Sequence, residues 1–162
     1  MNDQDLFFLR RAVEVARRAR DHGNHPFGAL LVDSNGVSLL EAENTVETEK
    51  DSTGHAETNL VRLASHRYDR DFLQGCTLYT STEPCAMCAG AIYWSGIGRV
   101  VFGLSESRLH DLTGDDPSNP TLSLPCREVF ARGQRTIEVS GPWAENEMSR
   151  VHEGFWHPQE PE

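Results

Sequence analysis

Two short stretches constrain this chain more than any others: His55-Ala56-Glu57, and Pro84-Cys85-Ala86-Met87-Cys88 further along. Together they offer one imidazole, two thiols and one carboxylate. Three protein ligands with a fourth position left open mark a catalytic zinc site, whereas structural zinc sites close all four. His55, Cys85 and Cys88 make three, and Glu57 is left over. Zinc lowers the pKa of bound water to about 7. Two thiolates cancel much of the ion's charge, so a neighbouring base matters more here than in an all-histidine site. Glu57 is placed to be that base. Cys85 and Cys88 stand three apart at the start of an expected helix, which puts both sulfurs on one side of its first turn. Free N–H groups and the positive end of the helix dipole favour thiolates there, and Pro84 fits at or just before that turn.

H-x-E followed by P-C-x-x-C is the signature of zinc deaminases. A C-x-x-C alone is shared with redox pairs and zinc knuckles, and an H-x-E alone is less specific still; both halves at this separation are specific together. On these residues the chain resembles the cytidine deaminase superfamily, which includes cytosine, guanine and tRNA adenosine deaminases. Within it the chain is most similar to the bacterial guanine deaminase branch, through Pro26-Phe27-Gly28-Ala29, Glu83-Pro84-Cys85 and Ala91-Ile92-Tyr93-Trp94.

The resemblance implies an α/β fold of three layers (α/β/α), with a five-stranded mixed sheet between helices. It implies one zinc ion per subunit, held between the second and third expected helices, and a homodimer. The implied activity is hydrolytic deamination of a free nucleobase, guanine or the related isocytosine. Alternatives are a tRNA-specific adenosine deaminase, a deaminase of cytosine or another heterocycle, and a noncatalytic zinc module whose fourth ligand would be Cys76 or Cys126. Carried over residue by residue, Asn44 would hydrogen-bond the base, Phe27 would pack on it, and the Ala56 backbone would face it. Asp116, from Gly114-Asp115-Asp116, would be an additional proton shuttle. Phe155 and Trp156 would close the site from the C-terminus. Bland readings stand beside these: a turn residue for Asn44, core packing for Phe27 and Trp156, and turn acids before Pro117 for Asp116.

Charge bears on the substrate. Of 162 residues 15 are Lys or Arg and 25 are Asp or Glu, so the net charge is −10. A protein that grips a nucleic acid needs a basic surface, so composition favours a small molecule. The arginines gather on the first expected helix, where acidic neighbours would make them an ordinary solvated face. No run of some 18 apolar residues suggests a membrane span, and the acidic start is unlike a signal peptide. The cytoplasm is the expected compartment. Cys76 and Cys126 read as buried apolar residues.

Periodicity predicts a helix over 3–22 capped by Asp3 or Asp5, with Leu6, Leu9, Val13 and Ala16 on one face and Phe8, Ala12, Val15 and Ala19 alongside. A hairpin of strands 27–32 and 37–41 turns at Asn35-Gly36. A polar loop follows over 43–54, then a helix over 55–67 with Leu60, Leu63, Ala64 and Val61 inward. Further expectations are a strand at 76–81, a helix at 85–94, a strand at 100–103, a long loop over 104–124, a short helix at 126–132, a strand at 136–140 and a last helix at 145–156. Short apolar strands separated by helices imply a sheet covered on both faces. Residues 1–157 are expected to form one zinc-dependent domain, and 158–162 a flexible tail.

Overall fold

The computed structural model describes residues 2–157; the expected tail, 158–162, lies outside them. The chain opens with helix α1 (Asp3–Asp21), whose buried stripe is Phe8, Leu9, Ala12, Val15, Ala16 and Ala19. Its cap is Asn2, not Asp3 or Asp5: the Asn2 side chain accepts from the Asp5 backbone N–H at 2.8 Å. Asparagine is as good a cap as aspartate, which leaves Asp5 free for the interior. There it accepts from Tyr79 Oη at 2.7 Å and from two nitrogens of Arg99 at 2.9 and 3.0 Å.

Strand β1 (Gly28–Val32) is buried throughout, while β2 (Ser38–Glu43) buries every second residue near its end. At the turn between them only Gly36 has positive φ, at 79°, so this is not the two-residue type I′ turn that Asn-Gly suggests. Asp33 Oδ1 accepts from both Asn35 N and Val37 N at 2.9 Å, and an aspartate turn of this kind organises a longer loop. Gly28 is where α1 crosses the sheet. A Cβ there would overlap the backbone of Ala12, Val15 and Ala16, so only glycine permits the approach.

The polar stretch after β2 contains a one-turn helix, α2 (Val46–Glu49). Helix α3 (Ala56–Arg67) buries Leu60 and Ala64 but leaves Leu63 exposed, contrary to expectation. A short helix, α4 (Arg70–Gln74), not foreseen from periodicity, is capped by Asp69 accepting from Phe72 N at 2.9 Å. Then come β3 (Thr77–Thr82), α5 (Ala86–Ser95) and β4 (Arg99–Leu104). The expected long loop after β4 begins as a helix, α6 (Glu106–Thr113), capped by Ser105. Helix α7 (Cys126–Ala131) and strand β5 (Glu138–Ser140) follow. The expected last helix stops early: α8 (Glu145–Met148) tightens into a 3₁₀ turn, Ser149–His152. Arg20 closes that end by donating to the Val151 and Glu153 carbonyls at 2.9 and 2.7 Å.

The five strands lie in the order β2-β1-β3-β4-β5. β1 is antiparallel to both neighbours, and β3, β4 and β5 are mutually parallel. Alternate residues of β1 feed opposite faces. Ala29 and Leu31 join Leu60, Ala89, Ile92 and Phe130 from α3, α5 and α7; Leu30 and Val32 join Phe8, Leu9, Leu109 and Met148 from α1, α6 and α8. This three-layer α/β/α arrangement explains why β1 is apolar at every position.

The arginines of α1 form the solvated face expected of them. Arg10 pairs with Glu147, Arg11 with Glu14 and Glu41, and Arg18 with Glu41 and Glu43. None of these three is free for a phosphate without displacing a carboxylate. Among the described residues no helix is long and apolar enough to cross a membrane.

Candidate active site

Strand β3 runs out through Thr82 and Glu83 into Pro84, and Cys85 sits at the N-cap of α5 with Cys88 in its first turn. His55 occupies the N-cap of α3. Helices α3 and α5 pack side by side on one face of the sheet, and this brings the two helix starts together. His55 Nδ1 lies 3.5 Å from Cys85 Sγ and 3.6 Å from Cys88 Sγ. Tetrahedral zinc with bonds of about 2.05 Å to nitrogen and 2.3 Å to sulfur requires an N···S separation of about 3.5–3.6 Å. The three ligands fit the ion. Among the described residues, no fourth His, Cys, Asp or Glu completes the cluster.

The charge state fits as well. The Cys88 hydrogen bond, and then that of His55, draws the Cys85 thiol down to about 4, while Cys88 is pushed up as the proton-holding partner. The hydrogen bond with Cys85 raises His55. Thr58 Oγ1 adds a contact to Cys88 Sγ at 3.2 Å. The other two cysteines are different. Burial lifts Cys76 to about 11 and Cys126 to about 12, so both remain protonated, buried thiols, as expected.

Glu57, in the first turn of α3, is 6% exposed, and burial raises its pKa. Its Oε1 accepts from Thr80 Oγ1 at 2.6 Å. The same hydroxyl lies 3.0 Å from the Thr82 carbonyl. A hydroxyl has one proton, so Thr80 donates fully to only one of these at a time. A buried carboxyl with a raised pKa and a short hydrogen bond is suited to taking and returning a proton.

These groups border a cavity of about 350 Å³, near the small end of ligand pockets. His55, Glu57, Cys85, Phe27 and Asn44 line it. Asn44 Oδ1 accepts from Val46 N at 3.1 Å, while its amide nitrogen has no hydrogen-bond partner among the described residues. Three expected residues stand elsewhere. Ala56 is buried but is not part of the lining. Asp116 is also outside it, with both oxygens engaged: Oδ1 accepts from Ser118 N and Oγ, and Oδ2 from His157 N at 2.7 Å. These bonds, Ser118 first, hold its carboxyl below the usual range. Asp116 here ties the 114–125 segment to the end of the described chain. Trp156 lies behind the cavity wall, donating to His152 Nδ1 at 3.0 Å with its ring 6.1 Å from Phe27.

Sequence reasoning missed several wall residues, among them His25, Thr82, Glu106, Leu109 and Asn119. None sits in a recognisable motif. Only one signal was available: Thr82 and Glu106 border the carboxyl ends of neighbouring parallel strands, where open α/β sheets bind their ligands.

The fold and the site together define a metal-dependent hydrolytic enzyme of the zinc type. Residues 2–104 match the family described as the cytidine and deoxycytidylate deaminase zinc-binding region. The "Probable cytosine deaminase" of Schizosaccharomyces pombe is 47% identical over 156 residues, covering 96% of this chain and 94% of that protein. A tRNA-specific adenosine deaminase of Bacillus subtilis is 41% identical over 105 residues, 65% of each chain. The X-ray structure of guanine deaminase from Bacillus subtilis superposes with a TM-score of 0.62 at 31% identity, covering 99% of both chains. This chain belongs to the cytidine and deoxycytidylate deaminase family and is a zinc-type deaminase, acting on a C–N bond.

Proposed function

We propose that the substrate is a free nucleobase carrying a 2-amino-4-oxopyrimidine edge, guanine or isocytosine, and that His55, Cys85 and Cys88 hold zinc while Glu57 moves the protons. The observation that carries this reading is the small cavity, with Phe27 and Leu109 on its walls and His55, Cys85 and Glu57 beside one another. When bound, zinc supplies Lewis acidity that makes water a competent nucleophile near neutral pH. Water adds to the ring carbon that bears the amino group, and Glu57 takes the proton that water gives up. Glu57 passes that proton to the adjacent ring nitrogen. It then takes the remaining water proton and delivers it to the amino group. The C–N bond breaks, ammonia leaves, and a ring carbonyl remains. Phe27 packs on the base and the Asn44 amide hydrogen-bonds it; Asp116 and Trp156 serve by holding the surrounding wall.

Cytosine is the second reading, favoured by the extent of the likeness to the fission-yeast protein. A tRNA substrate is disfavoured by the net charge of −10 and by the acidic partners of the α1 arginines. The expected homodimer remains part of the proposal, supported by the apolar α5, on which Trp94 is 70% exposed. Product analysis of Glu57→Gln tests the assignment: it should bind zinc as the parent does and lose turnover about 10²–10⁴-fold, the usual span for a general acid–base group. A variant with the parental rate would remove Glu57 from the mechanism.

A further inference from the structure

The cavity holds a second carboxyl that this proton path does not use. Glu106 opens α6 just beyond β4, and its backbone N–H donates to Glu83 Oε1 at 3.0 Å. Glu83 Oε2 in turn accepts from Cys126 N at 3.1 Å, so Glu83 brackets the end of β3 to the starts of α6 and α7. Glu106 lines the cavity, and among the described residues its carboxylate has no hydrogen-bond or ion-pair partner. Because Thr82 pairs with Leu104 at the carboxyl ends of parallel β3 and β4, Cys85 and Glu106 leave neighbouring strands at the same edge of the sheet. Ligands bind at that edge in open α/β folds.

An independent observation points to a polar ligand. Thr82, 2% exposed, lines the cavity, and its buried Oγ1 has no partner among the described residues. Asn119 Nδ2 and Thr121 Oγ1, from the 114–125 segment, are likewise buried and unpaired, and both residues line the same cavity. Of the four residues with such atoms among the described residues, three thus line one cavity. Buried polar groups are rarely left unpaired because the cost is high. Their gathering here is unlike an apolar slot.

We propose that Glu106 is a substrate-contacting, specificity-determining residue: its carboxylate accepts a hydrogen bond from a ring N–H of the base, and so selects a base free at that nitrogen over one substituted there. The inference rests on the free-base reading given above. Thr82, Asn119 and Thr121 meet the remaining polar atoms of the ring, since hydroxyls and an amide can each donate or accept. Glu57 serves the reacting carbon and its adjacent nitrogen; Glu106 serves a different N–H. Burial first, then the negative charge of Cys85, Glu83 and Glu57, pushes Glu106 up to about 7. His55 pulls the other way, and an N–H donor in the cavity relieves more of that pressure.

The test compares the parent enzyme with Glu106→Gln and Glu106→Ala, all zinc-loaded. Substrates are the base that the parent turns over and each of its mono-N-methyl derivatives; zinc content and melting temperature serve as controls. On the free base, Glu106→Ala should raise KM about tenfold to a hundredfold, the range for losing a hydrogen bond to a charged group, and change kcat far less. One N-methyl derivative should bind the parent poorly, and that penalty should vanish in Glu106→Ala. Calorimetric binding in a Glu57→Gln background should show the same loss of discrimination without turnover. An unchanged KM, or a variant that weakens free and methylated bases equally, overturns the assignment; the second pattern would mark a purely structural carboxylate. If Glu106→Ala does not fold, the Gln variant, which keeps an acceptor but not the charge, carries the same comparison with a smaller expected effect. A parent enzyme that deaminates no free base defeats the free-base reading, and this inference with it. Turnover with an undiminished N-methyl penalty in the variants defeats only Glu106.

Discussion

Thr80→Val isolates the hydrogen bond that orients the proposed general base. Valine keeps the shape of threonine and removes only the hydroxyl, at a position with no exposure. Glu57 Oε1 then loses the 2.6 Å bond from Thr80, its only side-chain partner among the described residues, and the Thr82 carbonyl loses a donor at 3.0 Å. A hydrogen bond to a charged group contributes about 1.5–3 kcal/mol. If the bond is needed to aim the carboxyl in the transition state, kcat falls about 10- to 100-fold. KM should change little, because Thr80 is not among the residues lining the cavity. The pH profile adds a second readout. The Thr80 bond lowers the Glu57 pKa against the larger effect of burial, so losing it raises that pKa. The acidic limb of kcat should therefore move to higher pH. Steady-state kinetics across pH, with zinc content measured in parallel, decide the matter. A variant with the parental kcat and an unmoved acidic limb would show that Glu57 needs no such support.

Three further outcomes are expected. His55→Ala should bind zinc far more weakly, and its melting temperature should no longer respond to a chelator, whereas a chelator should lower that of the parent; metal analysis and thermal denaturation check both. Asp5→Asn should destabilise the fold at neutral pH by about 2 kcal/mol, less than the roughly 3–5 kcal/mol for a fully buried broken ion pair, because Arg99 keeps some solvent contact. Although burial alone would raise it, the Arg99 and Tyr79 hydrogen bonds bring Asp5 below its ordinary 3.8. Its contribution is thus complete above that value and is lost as pH falls through the folded one, so denaturant titrations of the two proteins should converge in acid. Gly28→Ala should cost several kcal/mol, since its Cβ would meet α1 backbone rather than a movable side chain; a loss within the range of ordinary surface substitutions would show that α1 can shift.

What was legible in the sequence was whatever depends on local spacing. The imidazole, thiols and carboxylate of the two motifs announce their chemistry because a helix start fixes where each side chain can reach. The apolar run of β1 likewise announced a strand covered on both faces. Helix α6 was hidden because Leu109 and Leu112 are its only large apolar residues, too few to set a period in an otherwise polar stretch. The end of the last helix was hidden because Arg20, far away in the chain, supplies the donors that let it stop early. Asp116 sits in a motif-like segment, yet its oxygens are taken by Ser118 and by His157, a contact across the fold. Glu106 is the converse. Nothing near it in the sequence marks a site, and only the parallel pairing of β3 with β4 puts it at the cavity.

Ammonia release from zinc-loaded protein, offered guanine, isocytosine, cytosine, adenine and guanosine separately, tests the central claim most directly. Guanine or isocytosine should be turned over, with little release from adenine or guanosine; turnover of cytosine alone would move the assignment to the second reading. Stoichiometric zinc with no ammonia from any free base would contradict the proposed function while leaving the fold and the metal-binding triad in place.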